Sequence, residues 1–180
     1  MTIPNSEPRR IGINVDLKPH AYDPVANPEL FEGVRTRRII ACLIDVVVMA
    51  VPLAFLALFI FMFGLVTLGL GWFLFALFGP IAILWALLYY GLTFGGVHSA
   101  TIGMRMMDLE MRTWYGAPAY FVLGAVHAVG YWLSVSFLTP LVLLVALVND
   151  RKRLLHDIVL GTIVINNPAR ASALRARRPL

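Results

Sequence analysis

The sequence predicts an all-α integral membrane protein. It would have two long transmembrane helices, a short cytoplasmic β connection, and a C-terminal helical hairpin or one long third helix. Three observations carry this. Apolar residues make up 59% of the 180 residues, charged residues 14%, and the mean hydropathy is +0.79; soluble domains hold roughly 45–50% apolar residues. From Val46 to Met104 the chain contains no Asp, Glu, Lys or Arg. The basic residues bracket the apolar blocks: six Lys/Arg precede the first run, two lie in the middle loop and seven follow the last run. Basic residues at membrane ends act as cytoplasmic anchors and attract anionic lipid, so both termini are expected on the cytoplasmic side.

Residues 1–32 contain five prolines, mixed charge and no helical period, which predicts a flexible cytoplasmic tail. They lack the apolar segment and small-residue cleavage site of a signal peptide. A short helical turn on the membrane surface at Glu29-Leu-Phe-Glu32 is the alternative there, with disorder the preferred expectation. Residues 33–166 form the transmembrane domain, and 167–180, with Arg170, Arg175, Arg177 and Arg178, a basic tail that is solvated or touches lipid.

The first helix is expected over Val34–Phe63, bent at Pro52, which cannot donate to the carbonyl of Val48. The glycine-rich, uncharged stretch Gly64–Gly71 is the turn, and the second helix follows over Trp72–Thr93. Trp72 at one end and Tyr89-Tyr90 at the other have the amphipathic character of interfacial belt residues. Gly79-Pro80 predicts a kink that frees the carbonyl of Ala76. Gly95-Gly96 ends the helix. Beyond it, Met107–Arg112 alternates apolar and charged, the period of a strand with one wet face. Gly161–Asn166 is β-branched and strand-like. A lone short strand is marginal, so these two are expected to pair, on one side of the membrane.

Ala119–Val148 has two readings. One helix of thirty residues would span roughly 45 Å at ~1.5 Å per residue, against ~30 Å of hydrocarbon. It would also carry the seven C-terminal basic residues across the membrane. A hairpin of two shorter helices turning near Ser134–Pro140 keeps them cytoplasmic and is the preferred expectation.

Asp45 is the strongest candidate site residue, because it is the last charge before the uncharged stretch. A carboxylate at the centre of a membrane helix costs about 2.5–3.5 kcal/mol. Arg38 lies seven residues back, about two turns, on the same face. Two readings stay open across roughly 10 Å of rise: the two side chains pair, or each finds another partner. The plain alternative for Asp45 is a structural ion pair with Arg38; the functional one is ion or proton handling. Asp157 follows the charged segment Asp150–Arg153, which can return to the membrane surface and place Asp157 beside Arg38. Its plain alternative is a helix cap or a strand-entry hydrogen bond. His127, with Tyr131 one turn on and Ser134 two turns on, could relay protons, or be a neutral core histidine. His98 and His156 lack the paired spacing of a metal site, and no metal or cofactor is expected. The single Cys42 excludes an internal disulfide and reads as a small packing residue.

Three stretches resemble the RDD family of small bacterial membrane proteins, named for one Arg and two Asp residues: Arg38 with Ala41 and Ile44-Asp45; Thr101-Ile-Gly103-Met-Arg105; and Leu155-His156-Asp157 running to Gly161-Thr162-Ile-Val164. By that resemblance Arg38 is the family Arg, Asp45 its first Asp and Asp157 its second. Arg112-Thr-Trp-Tyr-Gly116 departs from the pattern, where a more polar turn is expected. The resemblance covers residues 33–166 and implies a bacterial inner-membrane protein with a role in transport.

No P-loop, dinucleotide-binding glycine motif or nucleophile elbow is present, and no enzyme activity is expected. Nucleic acid is not an expected partner, because no basic stripe sits on a soluble fold. With few helices for a transport pathway, a homo-oligomer is expected. Two functions stay open: ion or proton-coupled exchange centred on Asp45, Arg38 and Asp157, or a non-transporting assembly role in which those charges are structural.

Overall fold

A computed structural model of the chain describes residues 21–148 and 154–177. The first helix, α1 (Val34–Val66), continues through Pro52. A turn with Gly69 at φ +97° leads into a 3-10 segment at Leu70–Leu74 and then α2 (Phe75–Gly95), which carries Pro80. Both helical segments are long and apolar enough to cross a membrane. They expose large apolar side chains such as Phe55, Phe59, Ile83 and Leu84 around their circumference.

Gly96 ends α2, as its sequence predicts, and a short helix, α3 (Ile102–Met106), follows before the first strand, β1 (Leu109–Thr113). β1 pairs antiparallel with β2 (Thr162–Asn166), Leu109 opposite Asn166 and Thr113 opposite Thr162. The expected strand pair therefore forms, within about a residue or two of the predicted limits. Its predicted wet face does not: Glu110 is buried and held by Arg112 at 3.0 Å. Alternation along β2 joins two cores. Val164 packs with Val34, Ala41, Phe94, Met104 and Met111, whereas Ile163 and Ile165 point the other way, onto Phe31.

That second core corrects the reading of residues 21–32 as the end of a flexible tail. A 3-10 turn at Pro28–Leu30 sets Phe31 on β2, and the Asn166 side-chain amide donates to the Glu29 and Glu32 carbonyls. Single apolar residues such as Phe31 carry no period, so only the sheet reveals their purpose. Residues 1–20 lie outside the described part. The expected basic tail is likewise partly folded. Asn167 caps α6 (Pro168–Ala176), whose Ala171 and Leu174 are buried and whose Arg175 pairs with Glu29. The segments flanking the domain thus meet on one side.

The third apolar region is one helix, α4 (Phe121–Val148), without the turn expected near Ser134–Pro140. A turn there would strand backbone groups in lipid, whereas Pro within a membrane helix is tolerated. The chain still returns: α5 (Leu155–Leu160) packs back on α4 at Gly130, where a Cβ would stand 3.4 Å from the His156 Cβ. The charged stretch 150–153 lies outside the described residues. α2 and α4 approach closely because Gly95 and Gly124 leave room. A Cβ at either would lie 2.7 Å from backbone of the other helix.

Candidate functional site

Two buried carboxylates are held at the end of the bundle where α3, the sheet and α5 cover α1, α2 and α4. The first, Asp45, is on α1 and only 5% exposed. Its Oδ1 accepts from the Tyr89 hydroxyl at 2.6 Å and from the Gly103 backbone N–H at 2.8 Å. Its Oδ2 accepts from the Thr101 hydroxyl at 2.6 Å.

The stretch Thr101–Arg105 is built for this contact. Thr101 caps α3, its Oγ1 accepting from Met104 N while donating to Asp45. Gly103 lies directly on α1: a Cβ there would sit 2.1 Å from the Ala41 carbonyl oxygen and 2.9 Å from Asp45 Oδ1. Only glycine brings its N–H this close without displacing α1. Tyr89, predicted as a membrane-interface belt residue, is instead a buried donor to Asp45 and accepts from Ile102 N. No belt signal separates that role from the other, because a tyrosine suits both.

The second carboxylate, Asp157 on α5, is fully buried. Its Oδ2 takes the Arg38 guanidinium at 2.6 Å and the Leu154 backbone N–H at 3.0 Å. Its Oδ1 faces His127 Nε2 at 3.7 Å, His156 Nε2 at 3.6 Å and the Thr162 hydroxyl at 3.4 Å. Burial works to raise the Asp157 pKa, but Arg38, followed by the two histidines and the Leu154 N–H, outweighs it and holds the carboxyl down at about 2. His156 is pushed below the ordinary imidazole value, by burial first, with Asp157 opposing and Arg38 assisting.

The predicted neighbours Arg38 and Asp157 are therefore together, while the salt bridge of Arg38 runs to Asp157 rather than Asp45. The N-terminal cap role weighed for Asp157 is also present, since its side chain accepts from Leu154 N. His127 was expected beside Tyr131 and Ser134 on α4, and the Ser134 side chain lies outside what is described. His127 turns to Asp157, His156 and Thr162, whose hydroxyl is 3.5 Å from His127 Nδ1. Tyr131 instead meets Cys42, Oη to Sγ 3.2 Å. His156 was missed as a site residue. Its proximity to His127 depends on α5 folding back on α4, which no spacing along the chain encodes.

A cavity of about 490 Å³ joins the two carboxylate clusters, with Asp45, Thr101 and Tyr90 on one wall and Arg38, His127 and His156 on another. Asp45 and the hydroxyls of Thr101 and Tyr89 are hard oxygen donors, suited to a proton or a hard cation. The second cluster offers imidazoles and a carboxylate oxygen.

The family model described as "RDD family" matches residues 33–161. This span runs from the start of α1 through the end of α5 and contains Arg38, Asp45 and Asp157. No curated protein and no solved structure matches the chain.

Proposed function

The chain belongs to the RDD family, and from that premise we propose that it is a multi-pass protein of the bacterial inner membrane that exchanges an ion, or a substrate coupled to protons. Family membership and two helices long and apolar enough to cross a bilayer suggest a membrane protein; transport is the finer step. The observation that carries it is the setting of Asp45. A carboxylate only 5% exposed, on a cavity wall, is held by three neutral donors and no salt bridge among the described residues. Such a charge at membrane depth is costly unless a cation or proton joins it. Three accepted hydrogen bonds leave acceptor capacity on a group with about four lone-pair sites.

In this reading Asp45 takes up the cation or proton from the cavity, and Thr101 and Tyr89 orient it. Arg38, on the same cavity, and the buried Asp157 are a coupled charge pair, with His127 beside them. Both termini are assigned to the cytoplasm from their basic residues, with anionic lipid at those ends. A homo-oligomer completes the pathway that one small protomer is too thin to enclose.

One observation favours the other reading, a non-transporting assembly protein. The Asp45 hydrogen bonds knit α1, α2 and α3 together, as a purely structural staple would. Ion and pH-gradient flux in liposomes holding only the purified protein separates the two. Flux above protein-free vesicles supports exchange; none, with the protein folded and inserted, sinks it.

A further inference from the structure

We propose that His127, His156 and Asp157 form a binding site for one borderline divalent metal ion of the Zn²⁺, Co²⁺ or Ni²⁺ class. One ligand atom from each residue can be chosen so that all three lie within 4.8 Å of one another. Asp157 Oδ1 stands 3.7 Å from His127 Nε2 and 3.6 Å from His156 Nε2. Four-coordinate zinc with bonds of about 2.0–2.1 Å places its donors roughly 3.4 Å apart. Small rotations of the two imidazoles therefore bring the set onto one ion.

The surrounding bonds favour that use. Arg38 and the Leu154 N–H both engage Asp157 Oδ2, which fixes the carboxylate and turns Oδ1 to the two imidazoles. The Thr162 hydroxyl lies 3.5 Å from His127 Nδ1, on the opposite side of the ring from the ligand nitrogen. A partner on the second nitrogen is how metal-binding imidazoles are oriented. All three residues are buried, and the rings of Phe94 and Tyr131 pack on the two histidines. This leaves little room for the full water shell that Mg²⁺ keeps. His127 and His156 also line the cavity, which gives an ion a route to the two imidazoles.

Two imidazoles with one carboxylate oxygen select zinc-like ions over alkali or alkaline-earth ions, which take oxygen. The site therefore differs in chemistry from the all-oxygen surroundings of Asp45 and does not depend on transport. The Arg38 charge on the same carboxylate weakens the attraction, so an exchangeable ion is expected rather than a structural one.

The test is equilibrium binding of Zn²⁺ to purified, tag-free protein in detergent, with Mg²⁺ as the comparison ion. Zn²⁺ should bind saturably and Mg²⁺ should not compete. His127→Gln and His156→Gln should each weaken Zn²⁺ by at least about tenfold. His98→Gln, at an exposed residue away from the cluster, should change nothing. Cys42→Ala should also leave binding intact, which excludes the cavity thiol as the ligand. Where a histidine variant fails to fold, bound Co²⁺ in the wild type decides. A visible spectrum of four- or five-coordinate cobalt with nitrogen donors supports the site, and one of six-coordinate aquo character overturns it. No saturable Zn²⁺ binding, or binding indifferent to both histidine changes in folded protein, overturns it as well.

Discussion

Arg38 and Asp157, 119 positions apart in the chain, meet at 2.6 Å and fasten α5 to the start of α1. The contact closes the fold from both ends: α1 begins the domain, and α5 leads directly into β2. Around it, Arg37 does the same for β1, donating to the Met107 carbonyl at 2.6 Å and to Asp108 at 3.2 Å. Two adjacent arginines thus secure the two approaches to the sheet.

Removing either partner of the Arg38–Asp157 pair should destabilise the protein strongly. Asp157 is fully buried, so Arg38→Gln leaves its charge without its main counter-ion. Breaking such a pair from one side costs about 3–5 kcal/mol. Thermal unfolding in detergent should show a large drop for Arg38→Gln and for Asp157→Asn, with part of it recovered in the double variant. A double variant no more stable than the worse single change would show that the pairing itself is not what holds α5.

What the sequence made legible, and what it hid, divides along one physical line. Features with a local period or a costly charge were readable: the two long helices, the end of α2 at Gly96, the strand pair, and Arg38 beside Asp157. Features that exist only once the chain folds back were not. The partners of Asp45 come from α2 and α3, so its nearest sequence charge, Arg38, was a misleading guide. The meeting of His127 and His156 depends on α5 lying along α4. Phe31 and Leu174 are single apolar residues in polar segments, and burial against the sheet and its neighbours gives them a role. The continuous α4 was misjudged because positive-inside reasoning counts charges along the chain, and no charge count shows that α5 packs back on α4.

Gly103 gives a sharp steric test. Gly103→Ala would place a Cβ 2.1 Å from the Ala41 carbonyl oxygen, so α3 must move off α1. Overpacking of this kind costs typically about 1–3 kcal/mol. Gly79→Ala is the control, since nothing lies within 4 Å of a Cβ there. It should be neutral, or gain up to about 0.5–1 kcal/mol from reduced backbone freedom in the unfolded chain. Equal unfolding temperatures for the two variants would contradict the tight approach of α3 to Asp45.

The strand register can be checked by disulfide trapping. Arg112 and Ile163 are directly opposite in the antiparallel pair. In a Cys42→Ala background, cysteines at 112 and 163 should form an intramolecular bridge under mild oxidation. Cysteines at 112 and 165, two places out of register, should do so far less. Equal trapping of both pairs in folded protein would mean that the strands slide or do not pair.

Asp45 separates exchange from assembly. Asp45→Asn keeps the shape, and its amide oxygen can still accept from Tyr89 and Gly103, as Oδ1 does now. Its amide nitrogen would face the Thr101 hydroxyl, which can turn to accept, since a hydroxyl is both donor and acceptor. Because the donors at Asp45 are neutral, the change leaves no cation stranded, and the folded amount should remain near wild type. Asp45→Leu removes every one of these bonds and should unfold the protein, orphaning buried donors at about 1–3 kcal/mol each. If Asp45 carries the exchanged cation or proton, Asp45→Asn abolishes flux in liposomes while its melting temperature stays close to wild type. If Asp45 is a staple only, Asp45→Asn keeps the fold and leaves flux no different from that of the wild type, and only Asp45→Leu loses the fold. A second change, Arg38→Gln, should rescue neither property, because Arg38 is bound to Asp157 and its loss adds a separate defect. Rescue of Asp45→Asn by Arg38→Gln would show instead that the two α1 charges act as a pair, against the arrangement in the structure.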